Sequence, residues 1–236
     1  MWSGPRNIST ALMRSFESRA SCRVIDEPLY SHYLKVTGLD HPMAAEIIEH
    51  HESDWRKVVD ELSAPLADGD ALYYQKQMSH HLTPDIERDW MSEVTHAFLI
   101  RDPAEMLISL NKKLPSPTAL DTGLLQQLDL YRSLSATGER PPVIDSRNVL
   151  ENPRGVLTKL CEALGIAFEE SMLSWAPGKR DSDGCWADHW YGNVFETTQF
   201  GTWKPRTEAL PPSLEPVLPI AQAAYDELFA ERLTAN

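Results

Sequence analysis

Cysteine is scarce in this chain: Cys22, Cys161 and Cys185 are scattered through 236 residues. An odd, low count without paired spacing excludes a disulfide framework and a zinc-type ligand set, and points to reduced thiols in a cytoplasmic protein. Long apolar runs are missing too. None reaches about 18 residues, so no membrane span is expected. The N-terminus runs straight into a Gly-Pro-Arg loop, with no signal peptide. Cations are also in short supply, 22 Lys and Arg against 35 Asp and Glu, for a net charge of −13. That balance excludes broad nucleic-acid binding, and an anionic ligand then requires a local basic pocket. There is no internal repeat, low-complexity tract or linker. One domain over residues 1–236 is therefore expected, large enough to bury about 70% of its unfolded surface.

What the sequence does contain is concentrated at its start, in Gly4-Pro5-Arg6-Asn7-Ile8-Ser9-Thr10. Gly4 and Pro5 break regular structure, and Ser9 and Thr10 open a helix expected to reach about Arg19. Leu12, Met13 and Phe16 recur on its apolar side, leaving Arg14, Glu17 and Arg19 for the wet side. Such a loop turns free backbone N–H groups and the positive end of a helix dipole toward one point, which suits phosphate or sulfate. Arg6 adds a fixed positive charge. The nucleotide-kinase signature G-x-x-x-x-G-K-[ST] is absent, because its second Gly and its Lys are missing. A phosphate loop normally follows a buried strand, and only Met1 to Ser3 precede this one. Either the first strand is very short or the natural start lies upstream.

Along the chain, short apolar runs alternate with helical stretches. Cys22 to Ile25 reads as a strand ending at Asp26-Glu27-Pro28. Residues 29–68 read as helical with breaks at Gly38 and Pro42, and Glu46, Glu49, Glu52 and Asp54 form a solvated face. Ala71 to Gln75 reads as a strand that runs into Lys76 to His81. Ala97 to Ile100 is apolar throughout, as a central strand covered on both faces would be. Asp102 caps a helix from Pro103 to about Asn111. A helix near 121–134, a strand at Pro142 to Asp145 and a helix from Pro153 to Leu164 closed by Gly165 follow. Residues 176–204 read as a long ordered loop, and a C-terminal amphipathic helix follows Pro211. Strands separated by helices predict an α/β fold: a three-layer, P-loop-type architecture with a central parallel sheet of about four or five strands and helices on both faces. Ligands bind such sheets beyond the carboxyl ends of the strands, where Asp26-Glu27, Lys76 to His81 and Arg101 fall.

Three motifs together carry a family resemblance: Pro5-Arg6-Asn7-Ile8-Ser9-Thr10, Arg101 with Ser109 eight residues on, and Gly201-Thr202-Trp203-Lys204. Between the last two lies a helix with Asn152-Pro153, Leu160-Cys161 and Leu164-Gly165. In this order, from residue 4 to about 204, the chain resembles the sulfotransferases that use 3′-phosphoadenosine 5′-phosphosulfate (PAPS). The resemblance implies that the loop Gly4, Pro5, Arg6, Asn7, Ile8, Ser9 and Thr10 holds the 5′-phosphosulfate. It also implies that Arg101 and Ser109 hold the 3′-phosphate and that Trp203-Lys204 close over the nucleotide. Cytosolic members carry Arg-Lys-Gly just before the last motif, where this chain has Glu196-Thr197-Thr198. Lys204 or Arg206 is left to compensate, and Trp203 to stack on the adenine in place of the aromatic that follows the loop in many members.

Sulfuryl transfer needs cations near the bridging oxygen and a base near the acceptor, since positioning and charge stabilisation dominate the chemistry. Arg6 and Lys76 are the candidate cations. The candidate bases are Glu27 and His80, with His81 beside it. A lysine closely followed by a histidine occurs at this strand end in the family, and bacterial trehalose-type sulfotransferases place a catalytic Glu about twenty residues after the loop. The distance from the loop favours Glu27. No metal set is expected, because Cys185, Asp188 and His189 lack a second spaced pair. Trp186, Trp190 and Tyr191 line an acceptor pocket or pack the loop. The implied activity is transfer from PAPS to a hydroxyl or amine of a small-molecule acceptor, with no nucleic-acid or membrane partner and a homodimer left open. A P-loop phosphotransferase and a non-catalytic nucleotide-binding protein are the alternatives.

Overall fold

A computed structural model describes residues 1–235. Its strands are β1 (Trp2–Ser3), β2 (Cys22–Asp26), β3 (Leu72–Met78), β4 (Phe98–Ile100) and β5 (Val143–Asp145). The helices before β4 are α1 (Ser9–Glu17), α2 (Tyr30–Thr37), α3 (Ala44–His50) and α4 (Trp55–Leu62). After β4 come α5 (Pro103–Asn111), α6 (Leu124–Ala136), α7 (Ser146–Glu151) and α8 (Pro153–Ala163). The short α9 (Ala187–Trp190) and α10 (Gly192–Phe195) and the long α11 (Leu218–Ala230) complete the set. The fold is α/β with parallel strands flanked by helices, as expected. The chain forms two compact units.

The first unit comprises residues 1–9, 96–168 and 201 onward. In it β4 lies between two parallel neighbours, with Phe98 opposite Trp2 on one side and Val143 on the other. Phe98, Leu99, Ile100, Val143 and Ile144 are wholly buried, the burial that the unbroken apolar run anticipated. The first strand is very short, and side chains reinforce its anchorage. Gln127 donates to the carbonyl oxygens of Trp2 and Leu99, and the Trp2 indole donates to His96. Helix α11 packs on α5, α6 and β5. Asp102 caps α5, and Asn152 caps α8. Gly165 takes φ +70°, the left-handed conformation that closes a helix.

The second unit comprises residues 10–95 and 169–200. Here β2 and β3 run parallel in a register that sets Cys22 against Leu72 and Asp26 against Lys76. Leu12, Met13 and Phe16 are buried along α1, and Phe16 stacks on Tyr74 at 4.4 Å. Tyr30, Tyr33, Leu34, Ile47, Trp186, Ala187 and Tyr191 form one core cluster. Glu46, Glu49, Glu52 and Asp54 are exposed as expected, and Asp54 also caps α4.

Several local expectations give way. Arg14 does not face water. It is 1% exposed, and its Nη2 donates to both Asp183 oxygens at 2.5 and 2.6 Å. Strand β3 continues through Lys76 to Met78, so Lys76 lies within the strand and not in the turn beyond it. The stretch 176–204 is not all loop, because α9 and α10 lie inside it. Helix α7 escapes the sequence reading because only six residues separate Asp145 from Asn152, less than two turns of periodicity.

Asp145 holds the end of β5 to that helix. Its carboxylate accepts from the backbone N–H groups of Arg147 and Asn148 and from the Tyr225 hydroxyl at 3.0 Å. Asp145→Ala removes a cap and strands the Tyr225 hydroxyl, for a combined cost of about 2–4 kcal/mol. The expected result is an earlier urea midpoint with an unchanged slope. Tyr225→Phe, which leaves the cap intact, should cost less than half as much.

Candidate functional site

The candidate residues fall into two groups, one in each unit. In the first unit, Gly4 starts the loop after β1. A Cβ there would overlap the Thr122 carbonyl oxygen, so only glycine fits. Asn7 ties the loop down by donating to the Leu99 carbonyl at 2.9 Å. Arg6 adopts φ +57°, an uncommon backbone state for a residue with a Cβ. Two residues anchor it. Ser109, buried in α5, accepts from Arg6 Nε at 3.2 Å, and Arg101 Nη1 donates to the Arg6 carbonyl at 2.5 Å. Sequence reading assigns Arg6 to one phosphate and Arg101 with Ser109 to another, whereas the structure brings all three together.

This is a concentration of like charge. The Arg6 guanidinium is held below its ordinary pKa by burial and then by the positive charges of Arg101 and Arg206. The group is only partly neutralised. Glu105 takes Arg101 Nε and Nη2 on one oxygen at 3.3 and 2.9 Å, and the Trp203 indole N–H on the other at 3.2 Å. Arg206 Nε is buried with no hydrogen-bond partner among the described residues. Arg101, Glu105, Leu150, Trp203, Lys204 and Arg206 line an open cavity of about 400 Å³. The Arg147 guanidinium lies 4.1 Å from the centre of the Trp203 ring, a cation–π contact. Clustered guanidinium groups beside an aromatic wall suit an anion that carries a ring. Pro5 and Ile8 are backbone members of the loop, and Ser9 is the buried first residue of α1. Thr10, the second residue of α1, belongs to the other unit.

In the second unit, the register of β2 and β3 makes Asp26 and Lys76 neighbours, and Glu27 N–H extends the ladder by donating to the Lys76 carbonyl at 2.9 Å. Lys76 is fully buried. Its ammonium donates to Asp26 at 2.7 Å, to Glu27 Oε1 at 2.6 Å and to the Tyr191 hydroxyl at 2.5 Å. Those three contacts exhaust its donors. Lys76 is therefore not an uncommitted cation at a strand end, as expected, but the centre of a buried network. Burial pulls its pKa down, yet the two carboxylates outweigh that and raise it overall. Glu27 is raised, chiefly by burial and further by Asp26, against the opposing pull of Lys76. Burial and both carboxylates push the Tyr191 hydroxyl well above its ordinary value. Glu27 also sits at φ +42°, ahead of Pro28, an uncommon backbone state at a candidate functional position.

The histidines are placed differently. His80 and His81 form a 3-10 turn after β3. His81 is buried with its ring stacked on Tyr30 at 4.5 Å and Tyr33 at 4.8 Å. Burial first, then His80, His41 and Lys76, drive its pKa well below the imidazole value. The half-buried His80 packs edge-on against Tyr33 and His81. Thr197, at one of the places where cytosolic members have cations, receives the Trp175 indole N–H and donates to the Val194 carbonyl, a structural task.

Sequence reasoning missed Glu105, Arg147 and the role of Asp26, and it read Tyr191 as a pocket or loop aromatic without its tie to Glu27. The four-residue step from Arg101 to Glu105 was a readable signal, being a common ion-pair spacing. Nothing in the sequence links Tyr191 to a strand end 164 residues earlier.

A family model described as a sulfotransferase domain matches residues 1–223. Among curated proteins, the chain is 39% identical over 209 residues to the branched-chain-amino-acid aminotransferase-like protein 1 of Arabidopsis thaliana, covering 87% of this chain and 37% of that protein. It is 37% identical over 202 residues to protein 2 of that name from the same plant, covering 85% and 36%. The chain thus spans little more than a third of the length of the curated relatives it matches. Its structure is similar to the sulfotransferase domain of the Synechococcus PCC 7002 olefin synthase, with a TM-score of 0.55 and 19% identity over 99% of this chain and 94% of that one. It is likewise similar to the sulfotransferase domain from the curacin biosynthetic pathway, with a TM-score of 0.53 and 17% identity over 97% and 95%. At those identities the likeness carries the fold, and the family model carries the membership. The chain belongs to the sulfotransferase-domain family.

Proposed function

We propose that this chain transfers a sulfuryl group from PAPS to a hydroxyl or amine of a small-molecule acceptor. The observation that carries the reading is the convergence of Arg6, Arg101 and Arg206 beside Trp203, in a chain whose net charge is −13. Mutually repelling guanidinium groups, one with an unpartnered buried N–H, form a site that gains from a multiply charged anion. Arg101, Ser109, Arg6 and Arg206 would hold the donor's phosphates, and Trp203 would supply the aromatic wall. Glu105 occupies Arg101 in their place and must yield its contacts. When bound, PAPS supplies an activated sulfuryl group, whose transfer to oxygen or nitrogen leaves 3′-phosphoadenosine 5′-phosphate (PAP) and releases the acceptor's proton. Glu27 receives that proton. The burial of His81, stacked on two tyrosine rings, supports Glu27 over His81 in that role. No helix among the described residues is long and apolar enough to cross a membrane.

PAP should raise the melting temperature more than AMP does, by linkage of binding to stability. Arg101→Ala and Ser109→Ala should each weaken PAP roughly ten- to a hundredfold while changing AMP little, since a charged hydrogen bond lost from such a site costs about 1.5–3 kcal/mol. Calorimetry with the two nucleotides checks this, and equal affinities for PAP and AMP in the unaltered protein would sink the 3′-phosphate site.

Glu27→Gln should lower kcat by about 10²–10⁴-fold at unchanged PAP affinity. A base acts ionised, and burial raises the Glu27 pKa. The acid limb of kcat/KM should therefore lie above the ordinary glutamate range, with activity lost as pH falls through it. Rates measured from pH 5 to 9 test the sign. A flat profile from an active enzyme would remove Glu27 from the chemistry.

A further inference from the structure

The network around Glu27 has an asymmetry that the proposed reaction does not by itself require. Lys76 Nζ and the Tyr191 hydroxyl both meet the same carboxylate oxygen, Oε1, at 2.6 and 3.1 Å. No hydrogen bond among the described residues reaches Oε2. The Tyr191 hydroxyl also lies 2.8 and 3.0 Å from the two Asp26 oxygens, and it accepts the Trp186 indole N–H at 3.1 Å. The Gly184 backbone N–H donates to Asp26 Oδ2 at 3.3 Å. Asp26 is thus held by a strand neighbour, a hydroxyl and a backbone amide, and it fixes Lys76 in turn.

Resting on the sulfotransfer reading above, we propose that Asp26 and Tyr191 are positioning residues for Glu27. With Lys76 they clamp Oε1 and leave Oε2 as the oxygen that takes the acceptor's proton. A clamp on one oxygen fixes the carboxylate plane, so Oε2 keeps a single direction, which is what a base in an in-line transfer needs. The proton moves from the acceptor's O–H or N–H to Oε2, while Oε1 keeps the Lys76 ammonium and stays within reach of the single Tyr191 hydroxyl proton that Asp26 shares. Lys76, Asp26 and Tyr191 face the carboxylate, and Tyr30 approaches it from α2. His51 and Tyr74 act on Asp26, and His81 acts on Lys76.

The two positioning residues act on Glu27 with opposite sign. The Asp26 charge favours the protonated carboxyl, whereas the Tyr191 hydrogen bond favours the carboxylate. The test is the pH profile of kcat/KM for the full chain and its Asp26→Asn, Tyr191→Phe and Glu27→Gln variants, with PAPS and a competent acceptor. Asp26→Asn should move the acid limb to lower pH and Tyr191→Phe should move it to higher pH. Each should lower the plateau kcat about tenfold and leave the KM for PAPS within about twofold. A merely structural role predicts lost protein with an unmoved limb, or limbs moved in the same direction, and either result overturns the proposal. Should one variant fail to fold, carbon-13 titration of the glutamate-labelled wild type and of the other variant decides, with the Glu27 signal assigned by its loss in Glu27→Gln. A Glu27 signal that titrates lower in Asp26→Asn, or higher in Tyr191→Phe, than in the wild type supports the clamp, and an unmoved signal refutes it. Failure of the underlying reading looks different, because the unaltered chain would then show no turnover with PAPS, or Glu27→Gln would retain it in full.

Discussion

One lysine buried between two carboxylates organises the second unit. Lys76 has no exposed surface, and an ammonium in that position is tolerable only if every proton finds an acceptor. The parallel register of β2 and β3 supplies the first acceptor, since Asp26 is the strand partner of Lys76. The kink at Glu27, one residue past the strand and ahead of Pro28, supplies the second. Tyr191 supplies the third from the far end of the unit's sequence, and its ring joins Trp186, Tyr30 and Ile47 in the core cluster. Remove the ion group and the segment 184–191 loses its polar anchor. Remove that segment and a charge is left buried without its full set of partners.

The first unit handles charge in the opposite way. It does not pair each cation to completion. Arg6, Arg101 and Arg206 are held close enough to raise one another's energy, and Glu105 offsets part of that repulsion while also gripping Trp203. A completed ion group is finished by folding, whereas an incomplete one has binding energy left for an anion. In a chain with 13 more acidic than basic residues, such a local excess of guanidinium is a departure from the mean.

In the proposed reaction, the first unit's cations and aromatic wall would hold a nucleotide anion, and in the second unit a carboxyl whose proton affinity is raised by burial would take the acceptor's proton. Both rest on backbone as much as on side chains. Gly4 stands where the Thr122 carbonyl admits no Cβ, and Arg6 and Glu27 both take positive φ. The resulting strain falls on the loop that opens the cationic site and on the candidate base, where pre-organised geometry has most to contribute.

The sequence by itself determined the α/β alternation, the apolar central strand, the loop that opens α1, and the caps at Asp102 and Gly165. Each depends on residues close in sequence or on a motif read in order, and local propensity and periodicity reach that far. Only the tertiary structure decided what those groups meet. It turned Lys76 from a free cation into the centre of a network and buried Arg14 against Asp183. It joined Arg6 to Ser109 across 103 positions and carried Tyr191 to Glu27 across 164. A charged side chain looks the same in a sequence whether it faces water or a carboxylate, and its pKa, its free valences and so its chemical role are set by neighbours that only folding brings together.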